Sequence, residues 1–282
     1  MTVPNGILIH NFKIPVPGVS RKVLWHFSDI HLALSDEHST PEEAAKAAQT
    51  AASWDGTRLW FSQRYGEPDT DSQRKPAREH FDTLLGLAEG ADAIILAGDI
   101  CDYVNPANLR FLNSRLENLN TPFLAVCGNH DRAEDIPDGY VYSQIKAPVQ
   151  VLDLGDLLLV GLDDSLRKIT KEQNRQFLEI LSLGKPLIIV LHIPVMTEGN
   201  RDLLLECGDY FRLNHPEADE DTLEFIEILR RNAPQIVALL AGHLHFRNES
   251  EIAPGLMQYV SSQGILGNVN RYEVGEVDEW QT

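Results

Sequence analysis

Positive charge is scarce in this sequence. Lys and Arg number 24 against 42 Asp and Glu, a formal net charge of −18 over 282 residues. So acidic a chain lacks the cationic track that general nucleic-acid binding needs along phosphates. A small anionic substrate stays open, because bound cations invert the local potential of a site. Cysteine is scarce too: Cys101, Cys127 and Cys207 are too widely spaced for a disulfide framework or a zinc knot. Cys101 and Cys127 fall at or just past strand ends and read as small, half-buried thiols. No apolar run approaches the length of a membrane span. Met1–Gly6 shows no basic stretch followed by an apolar one, so no secretory signal is expected. Repeats and low-complexity segments are lacking as well. These absences suit a soluble, cytoplasmic protein, with one domain over 1–282 that carries an insertion at about 33–80.

What the sequence does have is one local pattern used five times. Phe123–Cys127 is an apolar run that breaks at Gly128 and then presents Asn129, His130 and Asp131 in succession. The same order of apolar strand, small residue, then His or Asp occurs at Val23–His31, Ile94–Asp99, Leu187–His192 and Val237–His245. Five strands that end in potential metal ligands make sense if those ends converge.

Around them the chain alternates strands with helices, which indicates an α/β fold. Residues 5–17 read as an irregular or edge-strand lead-in, since Pro15 and Pro17 are ill suited to a central strand. Strands are expected at 22–28, 92–97, 122–127, 187–191, 235–241, 256–261 and 270–278, and a hairpin at 149–160 turning at Gly155-Asp156. Helices are expected at 76–88, at 171–182 with a capping box from Thr170 to Gln173, and at 217–231. Asn105-Pro106 opens another, to about Leu119. The hairpin and the tail strands imply a mixed sheet or two sheets. In the insertion, Thr40 caps a helix over Pro41–Ala48. The following Ser53–Phe61 is aromatic and basic, read either as a surface elaboration that packs Trp54 and Trp60 on the core or as a lid; aromatics usually serve packing first, which favours the former.

Asp29-Ile30-His31 and His243-Leu244-His245 place paired donors two residues apart. In an extended backbone both members of such a pair face one side. Together Asp29, His31, Asp99, Asn129, His192, His243 and His245 supply carboxylate, amide and imidazole donors without a thiolate. That set suits borderline divalent metals such as Mn, Fe or Zn. Seven donors exceed the need of one ion that keeps an open position; two ions sharing a carboxylate fit better. His10, His38, His80 and His215 read as surface groups, and His26 as a core or supporting residue.

The five motifs, in this order across positions 29 to 245, resemble the calcineurin-like metallophosphoesterase superfamily. The resemblance implies a four-layer α-β-β-α sandwich of two mixed sheets, with ligands at the carboxyl ends of strands. It implies two divalent ions, manganese or an iron and zinc mixture. Asp29, His31 and His245 would hold the first, Asn129, His192 and His243 the second, and Asp99 would bridge. His130 would act near the scissile phosphate, and Asp102 or Asp131 would orient a histidine. The implied reaction is in-line attack of hydroxide on a phosphodiester or small phosphorylated metabolite. Asp131, where the protein phosphatase branch has Glu, favours the phosphodiesterase-like side. Leu191-His192-Ile193-Pro194 has one His and one Pro where the cyclic-nucleotide branch often has two of each. The alternatives are a phosphomonoesterase and a non-catalytic scaffold of the same fold. The expected partner is a small phosphorylated substrate, with no nucleic acid and no membrane. After His192, Arg201 or Arg212 is placed either to grip a phosphate or to sit in a solvated loop.

Overall fold

A computed structural model describes residues 4–67 and 74–276. Its apolar runs become strands that are buried on both faces, as strands covered on two sides must be. In β3 (Ala93–Ala97), Ile94 and Leu96 face one layer while Ala93, Ile95 and Ala97 face another. In β7 (Leu187–Val190), Leu187 and Ile189 divide from Ile188 and Val190 in the same way. This is the period-two alternation of a pleated strand.

Two mixed sheets result. The first runs in the order β1 (Leu8–Pro15), β11 (Asn268–Gly275), β2 (Lys22–Phe27), β3 and β4 (Phe123–Val126). The second runs β5 (Val149–Asp153), β6 (Leu158–Leu162), β7, β8 (Ile236–Ala241), β10 (Leu256–Val260) and β9 (Asn248–Ala253). The strands that precede the expected ligands are parallel neighbours: β2, β3 and β4 in one sheet, β7 and β8 in the other. Their carboxyl ends therefore lie along one edge of each sheet. Between the sheets, Ile95, Leu124 and Val126 meet Leu159, Ile188, Val190 and Leu240. The approach is close at Gly161, where a Cβ would stand 2.7 Å from Val126 Cγ1.

Helices cover both outer faces. Phe81 and Leu84 of α2 (Ala77–Leu87) and Leu109 and Leu112 of α3 (Pro106–Leu116) share a core with Ile94 and Leu96. Phe177 of α4 (Lys171–Leu181) and Phe225 and Leu229 of α6 (Glu220–Arg231) pack on Leu187 and Ile189. The layer order is helix, sheet, sheet, helix. Capping fixes where the helices begin: Thr170 and Gln173 satisfy each other's backbone amides, and the Asn105 side chain accepts from Asn108 N–H.

Several elements differ from the sequence reading. The insertion forms one helix, α1 (Pro41–Tyr65), closed by a capping box at Thr40 and Glu43 and by Gly66 in the left-handed conformation at φ 68°. The expected helix ended at Ala48, but Ala47, Trp54, Arg58 and Ser62 share a buried face that carries it through the polar, glycine-containing run Ser53–Thr57. The seven-residue α5 (Arg201–Cys207) was not foreseen, nor was β9, whose buried face includes Ser250. The closing strand spans Asn268–Gly275; residues 277 and 278 of the expected strand lie outside the described residues, as do 68–73 of the insertion. His80 is not at the surface but 1% exposed on α2, against the chain at Gly267. Among the described residues no helix is long and apolar enough to cross a membrane.

Candidate metal centre

Each loop that carries an expected donor starts where a strand ends. Asp29 and His31 follow β2, Asp99 follows β3, Asn129 and His130 follow β4, His192 follows β7, and His243 and His245 follow β8. The extended backbone expected for the two D-x-H and H-x-H pairs is not what places them. Asp29, His31, Asp99, His243 and His245 have φ of 55°, 51°, 52°, 70° and 61°. Among the described residues one other non-glycine, Arg167, has positive φ. Left-handed backbone at such residues costs about 1–3 kcal/mol each and persists where the surroundings impose it. Here they do: Asp29 N–H donates to Gly98 O (3.1 Å) and His31 N–H to Asp99 O (3.0 Å), so two loops brace each other. The carboxylate of Asp131 accepts from the amides of Asp99, Ile100, Cys101 and Gly128 and from the Tyr142 hydroxyl. On the other sheet, Asp164 accepts from His192 N–H (2.9 Å) and Ile193 N–H (2.8 Å). The two sheet edges also meet directly, for a Cβ on Gly242 would stand 2.7 Å from Ser28 Cβ and 2.8 Å from Asp29 Oδ2.

The seven expected donors surround one cleft as two overlapping groups. One atom each from Asp29, His31, Asp99 and His245 lies within 4.8 Å of the others, and so does one each from Asp99, His192 and His243. Asn129 Oδ1 joins the second group at 3.1 Å from His192 Nε2. Asp99 belongs to both. His130, half-buried, stays outside these two groups and clusters instead with His31 and Asp102: its N–H donates to Asp99 Oδ1 (2.8 Å) and its Nδ1 to the Asp102 carbonyl (2.9 Å).

The donor set fits divalent cations in its protons as well as its positions. His31 Nδ1 faces Asp102 Oδ1 at 3.1 Å, His192 Nδ1 faces Ala97 O at 2.8 Å, and His243 Nε2 faces Tyr210 O at 3.2 Å. Each outward contact takes up one ring N–H and leaves the other nitrogen toward the cluster, the arrangement by which supporting groups orient metal-binding imidazoles. The carboxylates are buried and ionised. Burial raises Asp29 and Asp99, but His245 beside Asp29 and His192 beside Asp99 outweigh it and hold both below the usual carboxylate range. Burial disfavours charge on His192, yet Asp99 pushes the ring up to about 10, so a cation would bind there by displacing a proton. His243 is driven down to about 3 by burial and then by His192.

Other neighbours were partly or wholly missed in the sequence. Of the two candidates for orienting a histidine, Asp102 does so, lying between His31 and His130, whereas Asp131 gathers backbone amides instead. Asp164 was missed although Asp163-Asp164 follows β6, the same order of strand and carboxylate used elsewhere. The insertion reaches the centre. Trp54 (9% exposed) donates Nε1–H to Asp102 Oδ1 at 2.7 Å, and its ring lies 3.8 Å from that of His31 and 5.2 Å from that of His245. Phe61 approaches His245 at 4.7 Å, while Trp60 is 54% exposed. The favoured reading, two tryptophans packed on the core, thus gives way to one against His31 and His245 and one half-exposed beside Phe61 and Tyr65. Across the cleft, Tyr210 and Phe211 each place a ring 5.2 Å from His243. Neither arginine reaches in: Arg212 is buried against Asp209 and Met196, and Arg201 is 3.8 Å from Glu198.

Known proteins resemble the chain in family and in fold. A family model described as calcineurin-like phosphoesterase matches residues 22–247. The fold is similar to that of a dimetal phosphatase from Danio rerio, with a TM-score of 0.52 and 11% identity over 86% of this chain and 88% of that one. It is also similar to a purple acid phosphatase from yellow lupin (Lupinus luteus) seeds, with a TM-score of 0.51 and 14% identity over 90% of this chain and 46% of that one. At such identities the likeness is one of fold. No curated protein sequence matches the chain.

Proposed function

The chain belongs to the calcineurin-like phosphoesterase family, and from that premise we propose that it hydrolyses a small phosphodiester with two divalent cations. Asp29, His31, Asp99 and His245 would hold one cation, and Asp99, Asn129, His192 and His243 the other. The observation that carries this reading is that two donor groups share one carboxylate, Asp99. When bound, the cation pair supplies activation of water and neutralisation of the phosphoryl oxygens. Manganese, or iron with zinc, suits the nitrogen and oxygen donors.

The chain's own part is to position and to move a proton. His130 lines the cleft, and its Nδ1 is tied to the Asp102 carbonyl, so Nε2 is the atom left to protonate the leaving oxygen. No Ser, Thr or Cys is among the described residues lining the cleft. Burial holds the Cys101 and Cys127 thiols well above their ordinary value. Direct transfer to water therefore suits the site better than a covalent intermediate. The described lining also has no Lys or Arg, which favours the singly charged diester over a doubly charged monoester.

The test is hydrolysis of bis(p-nitrophenyl) phosphate and p-nitrophenyl phosphate by metal-stripped protein titrated with Mn²⁺. Diester cleavage is expected to depend on metal and to fall by about 10³-fold or more in Asp99→Ala, a loss of several kcal/mol of transition-state stabilisation. In His130→Ala it should fall by about 10²–10⁴-fold with metal content retained. A monoester preference would reassign the substrate, and a chain that binds no metal would end the catalytic reading.

A further inference from the structure

The cleft over the ligands has a volume of about 150 Å³, below the few hundred cubic ångströms of a usual small-molecule site. It accommodates a phosphoryl group and little more. A larger cavity of about 560 Å³ adjoins it; Trp54 walls both, and His31 also lines the larger one.

The larger cavity has the opposite charge to the chain as a whole. Among the described residues it is lined by Arg58, Arg74, Lys75 and Arg78 and by one carboxylate, Asp55, in a protein with 24 cationic and 42 anionic side chains. Its remaining lining is largely apolar, including Leu34 and Ile265. Walls of low dielectric concentrate the field of such a group. Arg58 is 6% exposed and pairs with Asp55 through Nη2, while its Nε has no hydrogen-bond partner. A buried guanidinium N–H left without an acceptor is unfavourable, and an anion in the cavity would answer it with the planar fork that arginine offers.

We propose that this cavity binds a second anionic group of the substrate, a phosphate or carboxylate remote from the bond that is cleaved. The molecule's identity as a phosphoester rests on the function proposed above; the anion site itself does not. The scissile phosphate lies in the small cleft, the body of the substrate passes the Trp54 indole, and the second anion sits among Arg58, Lys75 and Arg78. Selection is then made by the insertion at 33–80 and not by the metal ligands.

The test has two arms, both on the full chain. Protein stripped of metal by chelating resin is titrated calorimetrically with inorganic pyrophosphate. Binding is expected, weakened about tenfold or more by Arg78→Glu and by Arg58→Gln. Arg230→Glu, the same change of charge on α6, should leave it as it is. Arg78 is at an exposed position, so its variant keeps the test valid if Arg58→Gln fails to fold. In the metal-loaded enzyme, KM for thymidine 5′-(p-nitrophenyl phosphate) is compared with KM for the same ester bearing a 3′-phosphate. The extra phosphate should lower KM about tenfold in the parent protein, and Arg78→Glu should erase the difference. No pyrophosphate binding, or equal KM values, would overturn the proposal; equal KM with binding retained would assign the cavity to a separate anion. If neither ester is cleaved the phosphoesterase reading fails, and the calorimetry alone decides whether the anion site exists.

Discussion

The two sides of the cleft are covered by different means. Over His31 and His245 lies α1, a capped 25-residue helix that contributes an indole bonded through its own N–H to Asp102, plus the ring of Phe61. Over His243 lies a short turn, Asp209–Phe211, that follows a seven-residue helix and contributes a backbone carbonyl and two rings. Both covers orient a histidine, the turn by accepting the outward N–H of His243 and α1 by donating to Asp102, the carboxylate that accepts from His31. One does so through a side chain that a single substitution removes, the other through a carbonyl that every residue type keeps. The two sides should therefore respond unequally to substitution.

The sharpest break in that symmetry is Trp54→Phe. It keeps a ring over His31 but deletes the hydrogen bond to Asp102, and loss of such a supporting contact typically costs about 10–100-fold in metal affinity or activity. Dialysis followed by metal analysis should show the cation held by His31 lost first and the one held by His192 retained; equal loss of both would show that the sides are not independent. On the opposite side, Phe211→Leu removes one ring from His243 and leaves the Tyr210 carbonyl in place. A ring contact of this kind is worth about 0.5–1.5 kcal/mol, so kcat/KM should fall by only about 2–10-fold. The smallest effect on the cleft belongs to Trp60→Ala. Its side chain is 54% exposed and meets the rings of Phe61 and Tyr65 edge-on, so a loss of about 0.5–1.5 kcal/mol is expected in thermal unfolding, with metal content unchanged. A large loss there would mean that Trp60 serves the cleft from outside.

The convergence of the donor-bearing loops was legible in the sequence because each one begins at an apolar run whose both-sided burial is written in its composition. The capped helix starts at Thr170 and Asn105 were legible for a similar reason: the cap is a local bond between residues three apart. What could not be read is what depends on another part of the chain. The left-handed backbone at Asp29 and His243 is imposed by partners distant in sequence, among them the Gly98 carbonyl and the close approach of Gly242 to Ser28. The length of α1 was hidden because Ser53, Asp55 and Gly56 weaken its helical signal, and the surface that stabilises Trp54 is formed by histidines 23 and 191 positions away. Arg212 looked available for a phosphate because its partners, Asp209 and Met196, are visible only when the turn is folded.

The bracing of the loops has a mechanical consequence. Asp131 ties the β3 and β4 loops into one body, and Asp164 does the same for the stretch around His192, so each sheet edge acts as a rigid jaw. Both donor groups take ligands from both jaws: His245 closes on Asp29, His31 and Asp99, while His192 and His243 close on Asp99 and Asn129. The spacing of the two donor groups then depends on the distance between the sheets, and the sheets approach closely at Gly161, against Leu124 and Val126. A methyl group added at that contact would press on Val126 and Leu124, in the strand that leads to Asn129.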